Sequence, residues 1–273
     1  MTGHRRADGR WGIRDHVLVL PSVVCSTNAA QTIARETGAT YVTHQHGCLH
    51  VGDDLRHTEG ALVGTAANPN VGAAVVVSLG CETIQGRRLA RRIEDTGQRV
   101  AFVGIQAEGG TERAVAAGRE AVAELRALLD EAPAEPLPDA ALVVGIDRPD
   151  DRLAPALHEA LERRGWSVVD APAGMSPAES HVALAGAGAQ VIVSLRGPGE
   201  APLGFAVCPV IAVARDAALY AALRDDFDLP DEDPQQTIAD VVARIEATVG
   251  GEPTASERRG ARDFVLHRLA MTM

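Results

Sequence analysis

With 273 residues, 46% of them apolar and only 3% aromatic, the chain can bury a large core, which Ala, Val and Leu must fill. A net charge of −11 argues against a nucleic-acid partner, and no apolar run is long enough to span a bilayer. All 26 basic residues are Arg, which excludes a Schiff-base lysine, a P-loop lysine and a lysine proton shuttle.

The opening "MTGHRRADGRWGIRDH" is basic and lacks the apolar segment of a secretory signal, so a cytoplasmic location and a mobile end containing His4, Arg5, Arg6 and His16 are expected. Short β-rich runs then alternate with amphipathic stretches. Strands are predicted at 16–22, 40–44, 73–80 and 100–106, and helices near 27–37, 53–66, 84–95 and 111–131. In the last helix Ala114, Ala117, Ala121, Leu125 and Leu128 recur at helical spacing. "EAPAEPLPDA" carries three prolines in ten residues and predicts a linker over 133–140. Beyond it, strands are predicted at 141–146, 167–172, 190–195 and 209–214, and helices at 151–164, 177–187, 217–224 and 235–249. "ASERRGARDFVLHRL" predicts a final helix behind a Ser N-cap. The expected fold class is α/β, two Rossmann-like units with mostly parallel sheets flanked by helices, one over 1–132 and one over 141–273.

Polar residues collect where these strands end. "CSTN" (25–28) follows the first strand, "HQHGC" (44–48) the second, "GCE" (80–82) the third and "QAEGGT" (106–111) the fourth. In a parallel α/β sheet such loops share one edge, the carboxyl ends of the strands, where ligands bind. Taken singly, a cysteine after a strand is most often a small buried apolar group and a loop histidine is most often a surface residue. The joint placement of Cys25, His44, His46, Cys48, Cys81 and Glu82 favours a shared site. His50, Asp53 and Asp54 lie at a predicted helix start, where aspartates also complement the helix dipole. "EGGT" offers backbone N–H groups to an anion or is simply a turn. "RGPGEAPLG" (196–204) suits either close backbone approach to a ligand or a long connection. Cys208 opens a buried strand, and His158, His181 and His267 fall on predicted helices with structural or exposed roles. The four cysteines form no C-x-x-C pair and are expected to be thiols or ligands. Neither a G-x-G-x-x-G turn after the first strand nor a G-x-S-x-G elbow occurs.

The segments "GIRDHVLVLPSVVCSTN", "THQHGCLHVGDDLRHTEGALVGTAANPNV", "VVSLGCET", "IQAEGGTERAVAAG" and "RGPGEAPLGFAVCPVIAVA" with "GEPTASERRGARDFVL" resemble the altronate/galactarate dehydratase family, whose relatives include the large subunit of sulfolactate sulfo-lyase. The resemblance implies a metal-dependent hydro-lyase. Such an enzyme eliminates water from a small hydroxy-acid substrate, an aldonate or aldarate, to give a 2-keto-3-deoxy acid. It implies a divalent metal, Fe2+ first, with Zn2+ or Mn2+ as alternatives, and imidazole with thiolate suits such borderline-soft ions better than Mg2+. On this reading His46, Cys48 and Cys81 hold the metal. His44 transfers protons, Glu82 orients or donates one, and Cys25, Asn28, Asp53, Gly109, Gly110 and Thr111 line the substrate pocket. A separate small SAF-domain subunit and a homo-oligomer are the implied partners, without nucleic acid or membrane. The family's Cys-Gly-Gly-Ser-Asp loop is here "VVGIDRPDDRLAP" (143–155), and its Gly-Arg-Gly-Thr-Pro loop is "GPGEAP" (197–202), which implies an altered second half of the active site. A non-catalytic or regulatory homologue that binds a small acid, and C–S elimination of the sulfo-lyase type, are the alternatives.

Overall fold

The computed structural model describes residues 1–48, 51–148 and 150–266; His50 and His267 lie outside them. The chain begins with β1 (Thr2–Arg5), which pairs antiparallel with β2 (Trp11–Gly12). There follow β3 (His16–Pro21), α1 (Thr27–Thr37), β4 (Thr40–Tyr41), α2 (Gly52–Ala66), β5 (Val71–Ser78), α3 (Gly86–Glu94), β6 (Arg99–Gly104) and α4 (Thr111–Asp130). Four of these strands form a parallel sheet in the order β4-β3-β5-β6. All eight residues of β5 are buried, because the unbroken Ala and Val run over 73–77 can serve only a strand covered on both faces. Helix α1 stops at Gly38, whose φ of 70° is the left-handed cap conformation that favours glycine. Along α4, Ala114 and Leu125 reach the core as their spacing predicts. Leu129 takes the next core position and the expected Leu128 is 45% exposed.

The second half runs through β7 (Glu135–Pro136), β8 (Val143–Ile146), α5 (Ala154–Arg163), β9 (Ser167–Asp170), α6 (Pro177–Gly186), β10 (Val191–Arg196) and β11 (Val210–Ala214). It continues through α7 (Ala217–Ala222), β12 (Leu229–Pro230), α8 (Pro234–Val249) and α9 (Ala255–Arg259). Its parallel sheet has the order β12-β11-β10-β8-β9. The expected mobile N-terminus is ordered instead. Strand β1 also pairs with β7, from the proline-rich stretch, and the Arg6 guanidinium donates to Asp15, Arg14 O and Pro69 O. The final helix is shorter than its apolar periodicity predicts. It ends at Gly260, where φ is 66°, and residues 261–266 continue without helix.

The two sheets sandwich a shared helical layer. Helices α1 and α4 cover the outer face of the first sheet, α5 and α8 that of the second, and α2, α3 and α6 lie between. One continuous core joins Leu18, Leu20 and Leu62 to Val182, Leu184 and Ile192 across the halves, and full burial of each such side chain contributes about 1.5–3 kcal/mol. Helix α2 approaches α6 at Gly64, where a Cβ would stand 3.0 Å from Gly186 Cα. Two buried asparagines bind the halves further. Asn68 Nδ2 donates to Ala185 O and Ala189 O at 2.9 and 2.8 Å, and Asn70 Nδ2 to Gln190 O and Val207 O at 2.7 and 3.0 Å. Among the described residues no helix is long and apolar enough to cross a membrane.

Candidate functional site

The four parallel strands of the first sheet deliver their following loops to one edge, and short hydrogen bonds tie those loops together. After β3, Ser26 Oγ donates to Val77 O at 2.8 Å, which anchors this loop to the end of β5. Val24 N–H donates to His46 O at 2.9 Å, joining the β3 loop to the β4 loop. Thr83 N–H donates to Gly47 O at 3.0 Å, joining the β4 loop to the β5 loop. Gly47 makes this convergence possible. Its φ is 110°, and a Cβ there would lie 2.7 Å from both Ser22 O and Val23 Cα. The β6 loop adds Gln106, whose side chain packs onto Gly80.

These contacts gather Cys25, Cys48 and Cys81, which are exposed free thiols. The Cys48 thiol lies beside that of Cys25 and feels Cys81 and Glu82. Its pKa is raised, first by loss of surrounding water and then by these neighbours, since each disfavours a further negative charge. Glu82 is buried, with Ser22 Oγ–H donating to one carboxylate oxygen at 2.7 Å and Gly80 N–H to the other at 2.6 Å. His44 is buried as well. Its Nε2–H donates to Pro21 O at 2.7 Å, and its Nδ1 accepts His46 N–H at 3.2 Å, so the two bonds define one neutral tautomer. The His46 Nε2–H donates to Leu266 O at 2.7 Å.

The thiol trio fits a borderline-soft metal by donor chemistry, since thiolates select iron or zinc over Mg2+. As the side chains stand, no group of three or more His, Cys, Asp or Glu among the described residues could hold a metal ion. Two cavities open among the loops of this edge. One, of about 390 Å³, is lined by Thr27, His44 and His46 and walled by Phe264, Val265 and Leu266 from the far end of the chain. The other, of about 290 Å³, is lined by Glu82, Gln85, Gln106 and Arg87, whose guanidinium lies 4.4 Å from the Phe102 ring centroid.

Comparison with known proteins places this edge in context. Residues 3–130 match the family described as D-galactarate dehydratase/Altronate hydrolase, second domain, and residues 154–272 match D-galactarate/Altronate dehydratase, C-terminal. The chain belongs to the altronate/galactarate dehydratase family. It is 33% identical over 116 residues to altronate dehydratase of Bacillus subtilis (38% of this chain, 23% of the relative). It is 37% identical over 120 residues to (2R)-sulfolactate sulfo-lyase subunit beta of Chromohalobacter salexigens (44% and 30%). To altronate dehydratase of Escherichia coli it is 36% identical over 93 residues (30% and 19%). The matched stretches thus span less than a third of each curated relative.

In this family member, six of the residues singled out from sequence converge: Cys25, His44, His46, Cys48, Cys81 and Glu82. The others are more dispersed. Asn28 is exposed in the first turn of α1. Asp53 is exposed in the first turn of α2 and paired with Arg56 of the same helix. Gly109, Gly110 and Thr111 sit on the same sheet edge at the start of α4, where both glycines have positive φ. Ser22, Gly47, Arg87 and the 264–266 segment were not foreseen. Gly47 carried a signal in the "HGC" triplet, since a glycine between two candidate ligands often marks a tight approach. The 264–266 segment carried none, because 220 residues separate Leu266 from His46.

At the matching edge of the second sheet, "RGPGEAPLG" folds on itself. Glu200 accepts Gly197 N–H at 2.7 Å and pairs with Arg148. Beneath it, buried Arg196 pairs with buried Asp147, which also accepts Ser194 Oγ–H at 2.9 Å and Leu195 N–H at 3.0 Å. His181 lies 3.6 Å from this carboxylate with no exposure, and burial pushes its pKa down to about 4. Cys208 is core, as its sequence position predicts; its thiol donates to Ala189 O at 3.2 Å, and burial pushes its pKa well up.

Proposed function

We propose that this chain is the thiol-bearing part of a metal-dependent hydro-lyase acting on a small hydroxy-carboxylate, an aldonate or aldarate, to give a 2-keto-3-deoxy acid. The observation that carries this reading is the gathering of three free thiols, two imidazoles and one buried carboxylate at the carboxyl edge of a parallel sheet. Removal of the proton α to a carboxylate builds negative charge on the carboxylate oxygens, and departure of the β-hydroxyl requires a proton. Iron held by the thiols would supply Lewis-acid stabilisation of that charge. His46 lines the larger cavity and is the better-placed proton carrier, because its ring partner is a carbonyl of a separate segment. His44 holds the His46 backbone and is a positioning residue in this reading, a change from the proton-transfer role expected of it. Glu82, fixed by Ser22 and Gly80, orients the β5 loop and keeps a negative charge beside the thiols. Arg87 lines the second cavity and is not assigned to the substrate in this reading. A separately encoded SAF-domain subunit, a homo-oligomer and a cytoplasmic location belong to the same reading.

The stretch shared with the sulfo-lyase subunit favours a second reading, in which sulfite rather than water leaves from the β-carbon. Both reactions begin with the same α-proton removal. The test is to purify the chain anaerobically, alone and with an SAF-domain subunit, and to supply a panel of aldonates, aldarates and sulfolactate. Formation of keto acid without sulfite, lost in Cys48→Ser, supports the hydro-lyase. Sulfite release supports the second reading. Metal-loaded protein that turns over neither class in either preparation ends both and leaves a binding homologue.

A further inference from the structure

The three thiols at the first sheet edge are more than enough for a single ion assisted by histidine, and the histidines are already engaged. His44 uses both ring nitrogens in hydrogen bonds, one to a carbonyl and one from an amide, and His46 Nε2 is turned to Leu266 O. The thiols are the more available donors. A cysteine in a fold of this type is ordinarily buried, as Cys208 is, yet Cys25, Cys48 and Cys81 are all exposed on three different loops that meet. Thr83 N–H to Gly47 O and Val24 N–H to His46 O hold the backbones on either side of them in register, and Gly47 permits the close approach.

We propose that Cys25, Cys48 and Cys81 together ligate an iron–sulfur cluster of the four-iron type, leaving one iron without a protein ligand. This deepens the hydro-lyase reading and rests on it for the role of the open iron, but not for the cluster itself. A cluster spreads its irons over separate corners, so its thiolates stand farther apart than the ligands of a lone ion. The three thiols stand exposed on loops that Val24 N–H to His46 O and Thr83 N–H to Gly47 O hold at one rim. Ferredoxin-type clusters take closely spaced cysteines from one run of sequence. Here 23 residues separate Cys25 from Cys48 and 33 separate Cys48 from Cys81, and convergence of successive strand ends replaces sequence proximity. The three exposed side chains have room to turn toward three irons. An iron without a protein ligand would supply a binding point for a hydroxyl or carboxylate oxygen of a small acid, and the cavity lined by Val24, Thr27 and His46 opens among the same loops. This ligand set replaces the expected His46, Cys48 and Cys81 by admitting Cys25 and releasing His46.

The experiment is anaerobic purification of the full chain, with reconstitution by an iron salt and inorganic sulfide. Iron and acid-labile sulfide are measured, with the visible absorption and the electron paramagnetic resonance of the dithionite-reduced protein. The expected result is about four iron and four sulfide per chain. Cys25→Ser, Cys48→Ser and Cys81→Ser should each lose at least half of the sulfide and the cluster absorption, while their circular dichroism stays that of the parent. Cys208→Ser, which keeps the hydrogen bond to Ala189 O, should retain the cluster. Iron near one per chain without sulfide would overturn the proposal, as would protein that takes up no iron or retains its cluster in all three variants. A cluster without keto-acid formation upholds this inference and removes the hydro-lyase reading. One iron, no sulfide and keto-acid formation does the reverse.

Discussion

The two parallel sheets present equivalent edges, yet they treat charge in opposite ways. At the first, three thiols stand exposed beside two cavities, and a buried Glu82 is held by a hydroxyl and an amide rather than by a cation. At the second, Asp147 meets Arg196, Arg215 meets both Asp151 and Asp231, and Glu200 meets Arg148. Ion pairs of this kind close an edge. A buried pair costs several kcal/mol per ion in lost hydration, which only good geometry and added hydrogen bonds offset, so groups so engaged are poor candidates to bind a ligand. The same topology has been used once to hold an open, thiol-bearing rim and once to lock loops together.

That contrast can be broken at its strongest point first. Cys48→Ser should lose at least half of the bound iron and abolish any lyase activity, with little change in denaturation midpoint, since an exposed thiol contributes little to folding. Unchanged iron content would erase the distinction between the edges. Asp147→Asn should do the reverse. It leaves Arg196 as a buried unpaired cation and should cost about 3–5 kcal/mol in urea unfolding, with iron binding retained under native conditions. A loss below about 1 kcal/mol would show that the second edge is not locked by this pair.

Gly47→Ala sharpens the comparison by attacking geometry rather than chemistry. The positive φ and the overlap with the Ser22–Val23 backbone should cost about 1–3 kcal/mol and separate the thiols, so iron retention falls without removal of any ligand. A variant that binds iron as the parent does would mean that the loops meet by other means. A further effect concerns acid. His181 is buried with its pKa at about 4, against about 6.5 in an unfolded chain, so the unfolded state binds more protons between these values. Stability from this residue is therefore present above pH 6.5 and is lost as pH falls toward 4, with a slope of up to about 1.4 kcal/mol per pH unit. Urea melts at pH 7, 6 and 5 should show a shallower decline in His181→Gln than in the parent. Parallel declines would place the proton elsewhere.

How far sequence reached depended on whether the deciding contact was local. Helix α1 is predicted at its observed bounds, Thr27–Thr37, because the apolar face that it buries lies within a dozen consecutive residues. The β5 run announced a doubly covered strand by itself. The site was legible to the same degree: strand ends could be read, and the rule that parallel strands deliver loops to one edge brought the cysteines together. Contacts made across the chain stayed hidden. Strand β1 depends on β2 and on residues 135–136, so Thr2–Arg5 looked like a loose end. Leu266 over His46 and Arg14 on Glu257 at 2.9 Å join opposite ends of the sequence and leave no periodic trace. The hydrogen-bonding state of His44 was equally unreadable, since it rests on Pro21 O and a neighbouring amide.

Iron-edge X-ray absorption on the anaerobically reconstituted full chain tests the gathering of Cys25, Cys48 and Cys81 most directly. Sulfur scatterers dominating the first shell, with a second shell of neighbouring iron, are the predicted result. A first shell made only of oxygen and nitrogen would contradict it.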